Sequence, residues 1–202
     1  MTTRTIALAA TAAIATALLA GCTTTTPSMP GNGMGQNASS SPEAPSASDA
    51  HNNADVMFSM MMIPHHQQAV EMADMIIDRS GIDPRITELA QKIKDAQQPE
   101  IAQMEGWLDE WGVGAPNDMM DDMDHGNGMM SDGDMSELES AADADAGRIF
   151  LDQMIEHHEG AIDMATDEVE DGQYPDTVTL AKNIITSQTA EIKVMTDLLN
   201  AG

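Results

Sequence analysis

The sequence predicts an all-α protein, a four-helix bundle built from two repeated helical hairpins. Three observations predict it. The stretch Met62 to Ala73 (M-I-P-H-H-Q-Q-A-V-E-M-A) returns 92 positions later as Met154 to Ala165 (M-I-E-H-H-E-G-A-I-D-M-A), with seven of twelve positions identical. Apolar residues around each copy recur at helical spacing. Each copy is followed by a glycine, a proline and a second periodic stretch, so each half reads as one hairpin. Neither hairpin buries its apolar stripe alone, and the two must pack together.

Composition sets the outer limits. The 202 residues carry 34 Asp+Glu against 8 Lys+Arg, a formal charge of −26. Such a chain repels nucleic acid and anionic membrane surfaces and attracts cations, so no nucleic-acid partner is expected. Aromatics make up only 2%, whereas methionine reaches 19 residues. High charge with few aromatics favours disorder, but only in the segments that lack apolar periodicity.

Residues 1–21 read as a signal peptide, with Arg4 before an apolar run ending in Leu19-Ala20-Gly21-Cys22. This end resembles a bacterial lipoprotein signal, which implies cleavage before Cys22 and lipidation of its sulfur. The alternatives are an ordinary signal peptide with an incidental cysteine, or a short membrane anchor. The run is too short for a comfortable span. Cys22 is the only cysteine, so no intrachain disulfide forms. Residues 22–53, rich in Thr, Ser, Pro, Gly and Asn, read as a disordered tether.

The folded part is expected over 54–202, with hairpins at 54–111 and 136–202. The first helix is expected from Asp55 to about Arg79, through Pro64, because the second copy has Glu156 there. Asp83-Pro84 reads as cap and first turn of the second helix, which contains Pro99 and closes at Gly112. Residues 112–135, with seven of their positions Met or His among Asp and Gly, read as a flexible connector or a loose metal trap. Their acidic run fails as a calcium loop, since Gly126 and Gly133 stand where ligands belong. The third helix is expected over about 136–170 and the fourth from Pro175.

The repeated motif carries the chemistry. At about 100° per residue, Met62 and His66 lie about 40° apart on one face, and His65 and Met72 about 20° apart. Met154, His157, His158 and Met164 repeat this pattern. The motifs read as two halves of one metal site or as two equivalent sites. Thioether sulfur is soft and suits Cu(I), and imidazole accepts copper in either state. Zinc sites favour Cys, His and carboxylate. Di-iron bundles use Glu-x-x-His, whereas here Met62 and Met154 stand three before His65 and His157. The bland reading is that methionines at this spacing are core and the histidines hydrogen-bonded core groups. Glu100 and Glu191, in the matching stretches Q-x-x-E-I-x-x-M, read equally as orienting partners for a histidine or as exposed carboxylates.

The paired M-I-x-H-H-x-x-A-[VI]-x-M-A motifs, each followed by Q-x-x-E-I-x-x-M, resemble an exported bacterial family long known only as a domain of unknown function. That resemblance implies a ferritin-like fold, copper binding and copper tolerance. It implies ligand roles for Met62, His65, His66, Met72, Met154, His157, His158 and Met164. Three function classes follow. The first is a copper-binding protein that sequesters or carries Cu(I) outside the cytoplasm. The second is an oxidoreductase, di-iron or cuprous oxidase. The third is a tethered interaction module without metal. Copper ions and a lipid-anchored membrane are the expected partners, and homo-oligomer formation stays open. No nucleophile triad or phosphate loop is present.

Overall fold

A computed structural model describes residues 50–114 and 128–201. The expected signal segment, Cys22, most of the tether, and Met119, Met120, Met123 and His125 of the connector lie outside the described residues. Among the described residues there are five α-helices and no strand: α1 (Asn53–Ile77), α2 (Pro84–Glu110), α3 (Asp132–Ser140), α4 (Asp143–Asp171) and α5 (Pro175–Ala201). α1 packs on α2 and α4 on α5, and α1 lies against α4. The Asn52 amide donates to the Asp171 carbonyl at 2.8 Å, so α1 starts where α4 ends and the two run antiparallel.

Local chemistry accounts for most boundaries. The Asn52 side chain accepts from the Ala54 and Asp55 N–H groups, and Asp55 accepts back from the Asn52 N–H at 2.6 Å. This capping box satisfies the orphan donors of the first turn. Asp83 caps α2, with Pro84 at its first position. Pro64 and Pro99 both sit inside unbroken helices.

The third helix departs from the sequence reading. Instead of one helix over 136–170, the chain goes extended at Ala141 and Ala142, and α3 and α4 are separate. Alanine favours helix, so composition gives no sign of the break. A tertiary contact makes it. The Arg79 guanidinium, arriving from the end of α1, donates to the carbonyls of Leu138 (3.0 Å), Glu139 (2.6 Å) and Ala141 (2.8 Å). Those are the carbonyls a helix end leaves unpaired. α3 also begins inside the stretch that composition assigns to the connector. Met130 is buried there, and the Gln68 amide exchanges two hydrogen bonds with its backbone, at 2.7 and 2.9 Å.

The core falls into two apolar clusters. One gathers Ala69, Met72, Leu89, Ala90, Ile93, Phe150, Met154 and Met195. The other gathers Ala161, Met164, Leu180, Ala181, Ile184, Phe58, Met62 and Met104. Taken in that order, each of these eight residues is the repeat-mate of one in the other cluster. This is the signature of an internal twofold that exchanges the halves.

The ends of the helices break that symmetry. Asp55, buried, accepts from the Gln173 N–H (3.0 Å), the Tyr174 N–H (2.8 Å) and the Thr177 hydroxyl (2.7 Å), locking the turn into α5 onto the start of α1. Burial alone would raise the Asp55 carboxyl, but bonds from Asn52, Thr177 and Tyr174 outweigh it and hold the carboxyl below its ordinary value. Beside it, Glu168 is also buried, yet neither of its oxygens has a hydrogen-bond partner. The Thr177 proton faces Asp55 and the Tyr174 carbonyl, so it does little for Glu168. Burial first, then the neighbouring Asp55, pushes the Glu168 carboxyl up to about 7.

Two outcomes follow. Asp55→Ala strands three donors across the α1–α5 junction and lowers the unfolding free energy by about 3 kcal/mol, measured by urea denaturation. The Glu168 carboxyl holds its proton more tightly folded than unfolded, so its contribution is full below its ordinary value of 4.5 and is lost as pH rises to about 7. Over that interval Glu168 by itself lowers the midpoint temperature of the metal-free protein as pH rises, while the depressed His157 acts in the opposite sense. The midpoint of the parent relative to Glu168→Gln is therefore expected to drop between pH 4.5 and about 7.

Candidate metal centre

The two motifs meet at the internal twofold. Along α1, His65 and His66 lie between the residues given to one apolar cluster and those given to the other, and His157 and His158 do the same along α4. All four imidazoles are buried. His65 and His157 are repeat-mates in direct contact, their ring centroids 3.7 Å apart and their planes inclined by 39°. Antiparallel packing of α1 on α4 at this register turns two distant sequence motifs into one place.

Hydrogen bonding fixes two of the rings. His66 Nε2 lies 2.8 Å from Glu100 Oε2, and His158 Nε2 lies 2.8 Å from Glu191 Oε2. The matching Q-x-x-E stretches of α2 and α5 deliver these carboxylates, which are orienting partners and not merely exposed charge. A carboxylate accepts from an Nε2–H, which leaves the lone pair on Nδ1. The Nδ1 atoms of His66 and His158 are buried with no hydrogen-bond partner. An unpaired buried nitrogen is costly, and a ring held through one nitrogen with the other open is the arrangement of a metal-ligating histidine.

His157 is more exposed to this cost. Neither of its ring nitrogens is hydrogen-bonded. Burial, and then the charges His65, His158 and His66 would carry, drive it well below the ordinary 6.5. The His65 backbone opposes this slightly without reaching hydrogen-bond geometry. The ring is therefore neutral near pH 7, the form that binds metal.

The methionines divide by cluster. Met62 and Met164 lie in one, Met72 and Met154 in the other, all buried. The structure thus gathers four histidines at the twofold and sets two methionine pairs on either side. Among the described residues, no three His, Cys, Asp or Glu side chains form a ready cage for an ion. A di-iron reading needs Glu100 and Glu191 as ligands, and both are instead bonded to imidazoles. Sequence reasoning missed Glu168 and the Asp55 junction. The Asn52-x-x-Asp55 pattern is a visible capping signal. Glu168 announces itself only by comparison of the halves, where its repeat-mate is Ile76.

The sequence profile of the family described as Domain of unknown function (DUF305) matches residues 55–199. This chain belongs to the DUF305 family. It is similar to a crystallised DUF305 fragment from Deinococcus radiodurans, with 29% identity and a TM-score of 0.69 over 75% of this chain and 98% of that one. A Streptomyces coelicolor DUF305 protein described as secreted is 35% identical, with a TM-score of 0.67, over 73% and 91% of the two chains. CopM in its Cu(I)-bound form is 33% identical, with a TM-score of 0.60, over 73% and 96%. CopM has also been solved with Cu(II) and with Ag. A 49-residue match at 49% identity joins 24% of the chain to the uncharacterized protein L153 of Acanthamoeba polyphaga mimivirus, of which it spans 32%. No helix among the described residues is long and apolar enough to cross a membrane.

The tautomers are open to direct measurement. 15N NMR of the metal-free protein is expected to find His66 and His158 protonated at Nε2 and unprotonated at Nδ1. His157 is expected to stay neutral well below pH 6.5, its ordinary midpoint.

Proposed function

We propose that this DUF305 protein binds Cu(I) outside the cytoplasm and sequesters or carries it, contributing to copper homeostasis or tolerance. The observation that carries the reading is the buried imidazole quartet, in which His66 and His158 are held by Glu100 and Glu191 with their Nδ1 atoms unpartnered. An apolar, water-poor setting with imidazole and thioether donors suits a soft monovalent ion, because little charge is brought inside and the donors are neutral. The ligand set is drawn from Met62, His65, His66, Met72, Met154, His157, His158 and Met164. Similarity to CopM, which has been solved with Cu(I), supports the choice of metal.

The same reading takes the helices as a ferritin-like four-helix bundle, with α1, α2, α4 and α5 as its members and α3 as an addition. It takes residues 1–21 as a removed signal, Cys22 as the lipidated residue and residues 22–53 as a tether to the outer face of the cell membrane. Similarity to a protein described as secreted supports export.

Anaerobic Cu(I) titration of the full chain against a competing chelator tests the centre. The variant with alanine at His65, His66, His157 and His158 is expected to lose the tight component while circular dichroism still reports helix. Undiminished tight binding in that variant sinks the reading. Glu100→Ala/Glu191→Ala leaves every ligand in place but frees two rings, and is expected to weaken Cu(I) by about 10–100-fold.

A further inference from the structure

The two halves share a core but not their outer surfaces, and the difference points to a second site. On α1, Met57, Met61 and His65 follow one another at intervals of four, on one face. Their repeat-mates on α4 are Ile149, Gln153 and His157. In the second half that face is covered: Gln153 donates to the Asp134 carbonyl of α3 at 3.0 Å, and Ile149 packs into the core cluster. In the first half the face is open. It forms a groove of roughly 200 Å³ between α1 and α4, lined by Met57, Phe58, Met61, Met164, Glu168 and Asp171.

What lines the groove is chemically unusual. Met57 is one of two large apolar side chains conspicuously exposed among the described residues, at 45%. Exposing a thioether to water where the other half packs a half-buried isoleucine against the core gives up hydrophobic stabilisation. Met164 remains 8% exposed, whereas its repeat-mate Met72 is wholly buried. At the inner end sits Glu168, 2% exposed, with neither oxygen hydrogen-bonded. Its repeat-mate is Ile76, in the core. A carboxyl buried where the other half packs an isoleucine carries a desolvation cost, which either a proton or a bound cation relieves. No lysine or arginine lines the groove, and Asp167 and Asp171 beside it add to its negative potential. Three sulfurs and one carboxylate match a soft ion of single positive charge, because thioethers select Cu(I)-like ions and one carboxylate neutralises the ion.

We propose that this groove is a second cation site, distinct from the histidine centre, in which the thioethers of Met57, Met61 and Met164 and the Glu168 carboxylate bind Cu(I), with Ag(I) as an equivalent soft ion. Met164, counted above among the soft donors, serves the groove. The remaining residues are not shared with the histidine centre, so the two sites stand or fall separately.

The test is an Ag(I) titration of the full chain carrying 13C at its methionine methyls, beside M57L/M61L and E168Q. Leucine keeps methionine's bulk and helix preference and removes the sulfur. In the parent protein the Met57, Met61 and Met164 methyl resonances are expected to move together as one Ag(I) equivalent binds. M57L/M61L is expected to lose that equivalent with unchanged helix content, and E168Q to hold it more weakly. If the Met57 and Met61 methyls stay still while other methionines shift, or M57L/M61L keeps the parental stoichiometry, the groove site is overturned.

Discussion

Four imidazoles withdrawn from water at one internal twofold are the constraint that the rest of this fold answers. Burying a histidine removes its hydration and disfavours the charged imidazolium. His157 records this most directly, held neutral by burial and by its three neighbours. The fold satisfies part of the demand with Glu100 and Glu191, each bonded to one ring at 2.8 Å. The Nδ1 atoms of His66 and His158 stay without a hydrogen-bond partner, the arrangement that suits a metal-ligating ring. Stability and binding are linked here, because an ion that pairs with those nitrogens stabilises only the folded state.

Duplication is the economical way to build such a centre. A hairpin that carries two histidines and their carboxylate makes half of the imidazole cluster, and its copy makes the other half when α1 packs antiparallel on α4. Eight residues of one apolar cluster are repeat-mates of eight in the other, so each hairpin contributes to both. Symmetry ends where it is not needed. One end is closed by α3, Met130 and the Arg79 contacts. The other is closed by Asp55, Thr177 and the ring packing of Trp107, Trp111 and Tyr174. The open groove with Glu168 at its base lies at this second end. Divergence between the halves thus fell on the surfaces and junctions, where substitution costs little core packing.

Much of the fold was legible because its signals are local or periodic. The prolines at 84 and 175, the cap at Asp83 and the stripes along four helices need only neighbouring residues to be read. The break at Ala141-Ala142 was illegible because its cause, Arg79, is some 60 residues away in sequence. The burial of Met130 was hidden in the same way. A methionine among Asp and Gly reads as connector until the Gln68 amide takes hold of its backbone. Glu100 and Glu191 lay between these cases. Their spacing placed them on a helix face, but only the packing of α1 on α2 and of α4 on α5 turned that face toward a histidine.

The sequence by itself determined the helical class, the repeat and the inventory of soft donors, since period and residue type are properties of the chain alone. It left open whether the two His-His motifs formed one place or two. Tertiary structure decided that, because contact between His65 and His157 depends on the register of α1 against α4, and no local pattern encodes a register between segments 92 residues apart. It also decided which surfaces stayed open. Met57 and Ile149 occupy equivalent helical positions, yet Met57 stands exposed while Ile149 packs against the core cluster.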